Sequence, residues 1–88
     1  MKYVKKPIPI DAVKIVAPWT FGENEQWAKD AANRGDIIFW KTEYEVKTLE
    51  GNMHGKYGSY LVRGVRGELY VCDADIFEET YEKAEETE

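Results

Sequence analysis

Apolar positions along the chain change period several times, and each change marks an element. From Ile8 to Val16 the residues are mostly apolar and β-branched, which predicts a strand. Ile8 and Ile10 share one face and Val13 and Ile15 the other, so the segment needs a bulge or burial on both faces. Pro7 and Pro9 remove two backbone donors, which places its start at a sheet edge or outside the sheet. Pro18 closes it. Thr20-Phe21-Gly22-Glu23 has the spacing of a capping box, ahead of a helix over 23–33. Trp27, Ala28, Ala31 and Ala32 share a face of that helix. The three alanines allow close approach to a sheet, with Trp27 as the anchor. Gly35 stands where a helix ends in left-handed backbone.

The period then shortens. Residues 36–40 predict a short strand. Residues 43–49 alternate, with Tyr44, Val46 and Thr48 against Glu45, Lys47 and Leu49, as in a half-exposed strand. Glu50-Gly51-Asn52 is a turn, and 52–56 returns antiparallel. A corner at 57–59, a strand at 60–63, a hairpin turn at 64–67 and a strand at 68–72 follow. Asp73 or Asp75 starts a last helix, whose inward stripe is Ile76, Phe77, Thr80, Tyr81 and Ala84. The expected fold is α+β: a small antiparallel-rich sheet of four to six strands with two packed helices. Residues 1–84 make a single domain, and 85–88 an acidic flexible end.

Composition narrows the classes. The chain has 88 residues, 43% hydrophobic, enough for one core and little room for a deep pocket besides. A single cysteine, Cys72, excludes an internal disulfide and suits a reducing compartment. No apolar run reaches membrane-spanning length, and no secretory signal opens the chain. The expected location is the cytoplasm. The net charge of −5 is uneven: residues 1–20 carry +3, whereas 73–88 carry eight carboxylates against Lys83. An acidic chain is a poor direct binder of nucleic acid, because phosphates need a cationic surface.

Candidate chemistry is sparse. His54 is the sole histidine, so neither a histidine metal cluster nor a zinc site has its ligands. A Cys72–His54 nucleophile pair has no supporting motif, and Cys72 reads as a structural thiol. The glycines at 51, 55, 58, 64 and 67 suit hairpin turns and lack the strand-to-helix context of a phosphate loop. No catalytic residue, metal or cofactor is assigned, and the chain is expected not to be an enzyme. Aromatics are frequent, with three Trp, six Tyr and three Phe. The expected contact surface combines Trp40, Tyr44, Tyr57 and Tyr60 near the hairpins with Arg63 and Arg66 beside them, since Tyr, Trp and Arg dominate binding hot spots. At least half of these aromatics are expected in the core or in cross-strand pairs. Arg63 and Arg66 on one tight turn form a candidate anion clamp, which Lys5 and Lys6 join if the strands are neighbours.

The opening Met1-Lys2-Tyr3-Val4-Lys5-Lys6-Pro7-Ile8-Pro9-Ile10-Asp11-Ala12-Val13 resembles the start of a group of small bacteriophage and prophage proteins, the PGDYG family. Lys47-Thr48-Leu49-Glu50-Gly51 and the run from Tyr60 to Glu82 resemble that group's second half. At the naming motif the chain has Tyr57-Gly58-Ser59-Tyr60 in place of Pro-Gly-Asp and an aromatic, so a role for the motif aspartate falls away. The resemblance implies a viral protein made inside a bacterium and implies no reaction. The expected function is therefore non-enzymatic binding of a host or phage protein, such as an inhibitor of a host or anti-phage defence protein. The alternative is a homo-oligomeric sponge for a phosphate-bearing small molecule such as a signalling nucleotide, with Arg63, Arg66, Lys5 and Lys6 on the phosphates.

Overall fold

A computed structural model describes residues 1–4, 8–22 and 25–82. Its elements are β1 (Asp11–Lys14), α1 (Gln26–Asn33), β2 (Ile37–Phe39), β3 (Glu43–Thr48), β4 (Gly51–Lys56), β5 (Tyr60–Arg63), β6 (Leu69–Cys72) and α2 (Ala74–Thr80). Among the described residues the fold is α+β, with six strands and two helices. The strands divide into two antiparallel three-stranded sheets, ordered β1-β5-β6 and β2-β3-β4, where the sequence suggested one. Alternation within each strand cannot reveal that division, because it reports which residues face inward and not which strands are neighbours.

The register explains the layering. In the first sheet Val13, Leu61 and Val71 lie across from one another, so they share a face. In the second, Ile37 pairs with Val46 and Phe39 with Tyr44. These two faces and the alanine face of α1 enclose one core, in which Val13, Leu61, Ile37, Tyr44 and Val46 are buried. Ala28, Ala31 and Ala32 are buried there too, and their small side chains bring α1 close to β2. Trp27 anchors the rim, its ring 4.9 Å below the Arg63 guanidinium.

The opposite face of the first sheet carries Lys14, Tyr60, Val62, Tyr70 and Cys72. Val62 is fully buried yet stands apart from the main core. It lies on the side that α2 covers: Phe77 stacks on Tyr60 at 4.0 Å and on Tyr81 at 4.8 Å. β5 therefore turns side chains into two interiors, Leu61 into one and Val62 into the other.

Several local expectations need correction. β1 spans four residues, and Ile8, more than half exposed, lies before it. Pro9 is outside the sheet, as its missing donor requires. Of the expected capping box, the Thr20 hydroxyl donates to Pro18 O, and Glu23 falls outside the described residues. The helix begins three residues later than expected, and the Glu25 carboxylate instead accepts the Gly22 N–H. Gly35 has φ +87°, the left-handed backbone that ends α1. In α2 the stripe is narrower than expected: Ile76 is 53% exposed, and only Phe77 and Tyr81 dock. Ala84 and the acidic end lie outside the described residues. Among the described residues no helix is long and apolar enough to cross a membrane.

Candidate partner-binding site

Trp19 follows Pro18 in the loop between β1 and α1. Its backbone has φ +57°, the one positive φ outside glycine among the described residues. A left-handed L-residue costs about 1–2 kcal/mol. Yet the side chain so held is 54% exposed rather than buried in repayment. Its indole meets Phe39 at 5.2 Å and Phe21 at 6.4 Å, the latter edge-on at 89°. Phe21 and Phe39 are 6.0 Å apart. The three rings form an aromatic ledge beside the end of β2.

A cleft of about 210 Å³ runs from this ledge to the first turns of α1, bounded by Trp19, Phe21, Gly22, Glu25, Gln26 and Lys29. Its floor is aromatic and its rim carries one carboxylate, one amide and one ammonium. Such a surface offers large rigid contact area with a few directing polar groups, the composition of a protein-binding hot spot.

The residues singled out from sequence do not form one surface. Tyr44 is fully buried, with its hydroxyl 2.8 Å from Ser59 Oγ, so it is a core residue and not part of an exposed surface. Burial raises its pKa, partly offset by the Ser59 hydrogen bond. Tyr57 is half-buried and donates to Trp40 O at 2.6 Å. Trp40 is 52% exposed and donates through Nε1 to Glu45 Oε1 at 3.2 Å, on the outer face of the second sheet. Tyr60 is half-buried beneath Phe77 and donates to Glu78 Oε2 at 3.0 Å.

The arginine clamp is also taken apart. Arg63 bonds Asp11 Oδ2 through Nη2 at 2.6 Å and through Nε at 3.2 Å, and its plane covers Trp27. Arg66 is exposed at the hairpin tip. There the Glu68 carboxylate accepts the Arg66 N–H at 3.3 Å and folds over Gly64, so a carboxylate of the chain already fills the place an anion would take. A wider cleft of about 380 Å³ borders this turn, lined by Pro9, Ile10, Asp11, Arg63, Gly64, Val65 and Gly67. Its arginine is the one already paired with Asp11. Lys5 and Lys6 lie outside the described residues.

Cys72 and His54 stand on different sheets. Burial, with Asp73 and Asp75 nearby, pushes the Cys72 thiol up, away from the reactive thiolate. His54 Nδ1 lies against Glu43 Oε2. Among the described residues no cluster of three or more His, Cys, Asp or Glu side chains is arranged to hold a metal ion.

Sequence reasoning passed over Trp19, Phe21 and Phe39 as a group. The available signal was a tryptophan in a non-periodic loop between Pro18 and Thr20, where no amphipathic pattern would bury it. Compared with protein-family models, with curated proteins and with solved structures, the chain matches none.

Proposed function

We propose that this chain is a small phage or prophage protein that works by binding a host or defence protein in the bacterial cytoplasm, without catalysing a reaction. The docking surface in this reading is the ledge of Trp19, Phe21 and Phe39 with the cleft beside it. One observation carries it: an exposed tryptophan is held out by an unfavourable left-handed backbone. Strain of this kind persists where surrounding structure over-determines it, and it concentrates at functional sites. The phage origin rests on the resemblance of the opening and the C-terminal half to the PGDYG proteins. The sponge reading has less support, because Arg63 is committed to Asp11 and Trp27.

The test compares capture from bacterial lysate by immobilised wild type, Trp19→Gly and Trp40→Ala, with bound proteins identified by mass spectrometry. Glycine accepts φ +57° without strain, so Trp19→Gly removes the indole while keeping the fold. It is expected to weaken capture of a defined partner at least about tenfold, as hot-spot tryptophans do. Trp40→Ala is expected to retain it. A wild type that recovers no partner at any salt concentration defeats the proposal, as does a partner held equally well by Trp19→Gly.

A further inference from the structure

The second sheet has an open edge whose geometry is fixed by the register. Trp40 N donates to Glu43 O at 2.8 Å and Lys47 N to Asp36 O at 2.9 Å. The odd-numbered residues of β3 therefore turn their backbone groups toward β2, and Tyr44, Val46 and Thr48 turn theirs toward β4. Their partners in β4 are Gly55, Met53 and Gly51. Asn52 and His54 consequently direct both backbone groups away from the sheet, and Lys56 directs its N–H, its carbonyl already accepting the Ser59 N–H and hydroxyl. All three are exposed, and among the described residues no strand pairs with that side of β4.

β4 is six residues long and has no proline, and its single lysine sits at the very end. Protected edges are shortened, bulged, covered or broken by proline and inward charge. By contrast, β2 spans three residues, and its Ile37 is buried beside α1. The exposed edge of β4 thus has the form of an interface.

We propose that this edge pairs antiparallel with β4 of a second copy, about a two-fold axis through His54. The outward residues alternate, so a symmetric hydrogen-bonded register falls on one of them, and centring it on His54 uses all three. The two His54 residues then exchange backbone bonds, and each Lys56 N–H meets the facing Asn52 carbonyl. The side chains agree. Lys56 of one copy stands opposite Asn52 of the other, whose amide is bound to Glu45 Oε2 at 2.5 Å, so an ammonium arrives beside a carboxylate. Each His54 arrives with its own Glu43. The product is a continuous six-stranded sheet across an isologous dimer. This surface is separate from the aromatic ledge, so the proposal stands or falls independently of partner capture.

The contact area of one strand pair is small, so the dimer is weak, with a dissociation constant of about 10–100 μM. Sedimentation velocity over a concentration series is expected to show a monomer–dimer equilibrium in that range. Hydrogen exchange of the wild type supplies the register. The amides of His54 and Lys56 should gain protection as concentration rises, while those of Met53 and Gly55 stay protected throughout. His54→Pro removes one outward donor without touching the bonds to β3 and should weaken the dimer at least about tenfold. Trp19→Gly should leave it unchanged. Three results would each overturn the proposal: a wild type monomeric at about 1 mM, a dimer whose outward amides exchange freely, or protection of those amides only when a different protein is added.

Discussion

Gly55 stands directly across from Tyr44, and the phenol ring lies over its bare α-carbon. A β-carbon there would come within 2.5 Å of Tyr44 Cζ and 2.8 Å of its hydroxyl oxygen. Tyr44 cannot yield, because the core encloses its ring and its hydroxyl is tied to Ser59, which bonds Lys56 O at 2.6 Å in turn. Gly55→Ala is therefore expected to cost about 2 kcal/mol, as over-packing does. Urea unfolding should show a lower midpoint at unchanged slope. Ser59→Ala removes one hydroxyl partner and should cost about 1–2 kcal/mol, since it leaves the buried phenol unsatisfied. The alternation over 43–49 already turned Tyr44 inward, but it could not separate a contact aromatic from a core one. That distinction lies in Ser59, fifteen positions on, and in the missing side chain of Gly55. Trp19 was illegible for a related reason: its exposure comes from a backbone angle, and no residue pattern encodes it.

α2 is seven residues long with no fully buried side chain, so its attachment rests on few contacts. Phe77 and Tyr81, four positions apart, lie one above the other and reach the first sheet together. Ile76 is about 100° round the helix and faces solvent, which is why the broad stripe read from sequence narrowed to two rings. Phe77→Ala should release the helix. Hydrogen exchange is expected to lose protection across 74–80 while β3 and β4 keep theirs, because local opening follows local contact density. Alkali should act on the same attachment. Burial, then hydrogen bonding to Tyr81, pushes the Tyr70 phenol up to about 12 from its ordinary value of 10.0. The folded state thus prefers the neutral phenol. Its contribution is complete below pH 10 and is lost as pH rises through about 12, because the unfolded chain gives up that proton first. A stability–pH profile of Tyr70→Phe should lack that part of the alkaline decline.

At the scale of the molecule, β5 joins two interiors that differ in depth. Leu61 faces the main core between the sheets, and Val62 faces the thinner layer under α2; both are fully buried. Arg63, the next residue along, ties β1 through Asp11 and α1 through Trp27. A chain of 88 residues has a total stability of roughly 4–13 kcal/mol. Leu61→Ala should cost about 3 kcal/mol through lost transfer energy and a cavity enclosed by both sheets and α1. That is a large fraction of the whole, so protection should fall in both sheets together. Val62→Ala removes two methyl groups from a layer that α2 can settle into, and about 1–2 kcal/mol is expected. Its effect should concentrate in α2. Native-state hydrogen exchange on the two variants decides the matter. Equal loss over β3 in both would mean that the thin layer is part of one cooperative unit. Loss over β3 in Leu61→Ala alone would place the stability of this fold between its sheets, with α2 as a separately opening cover.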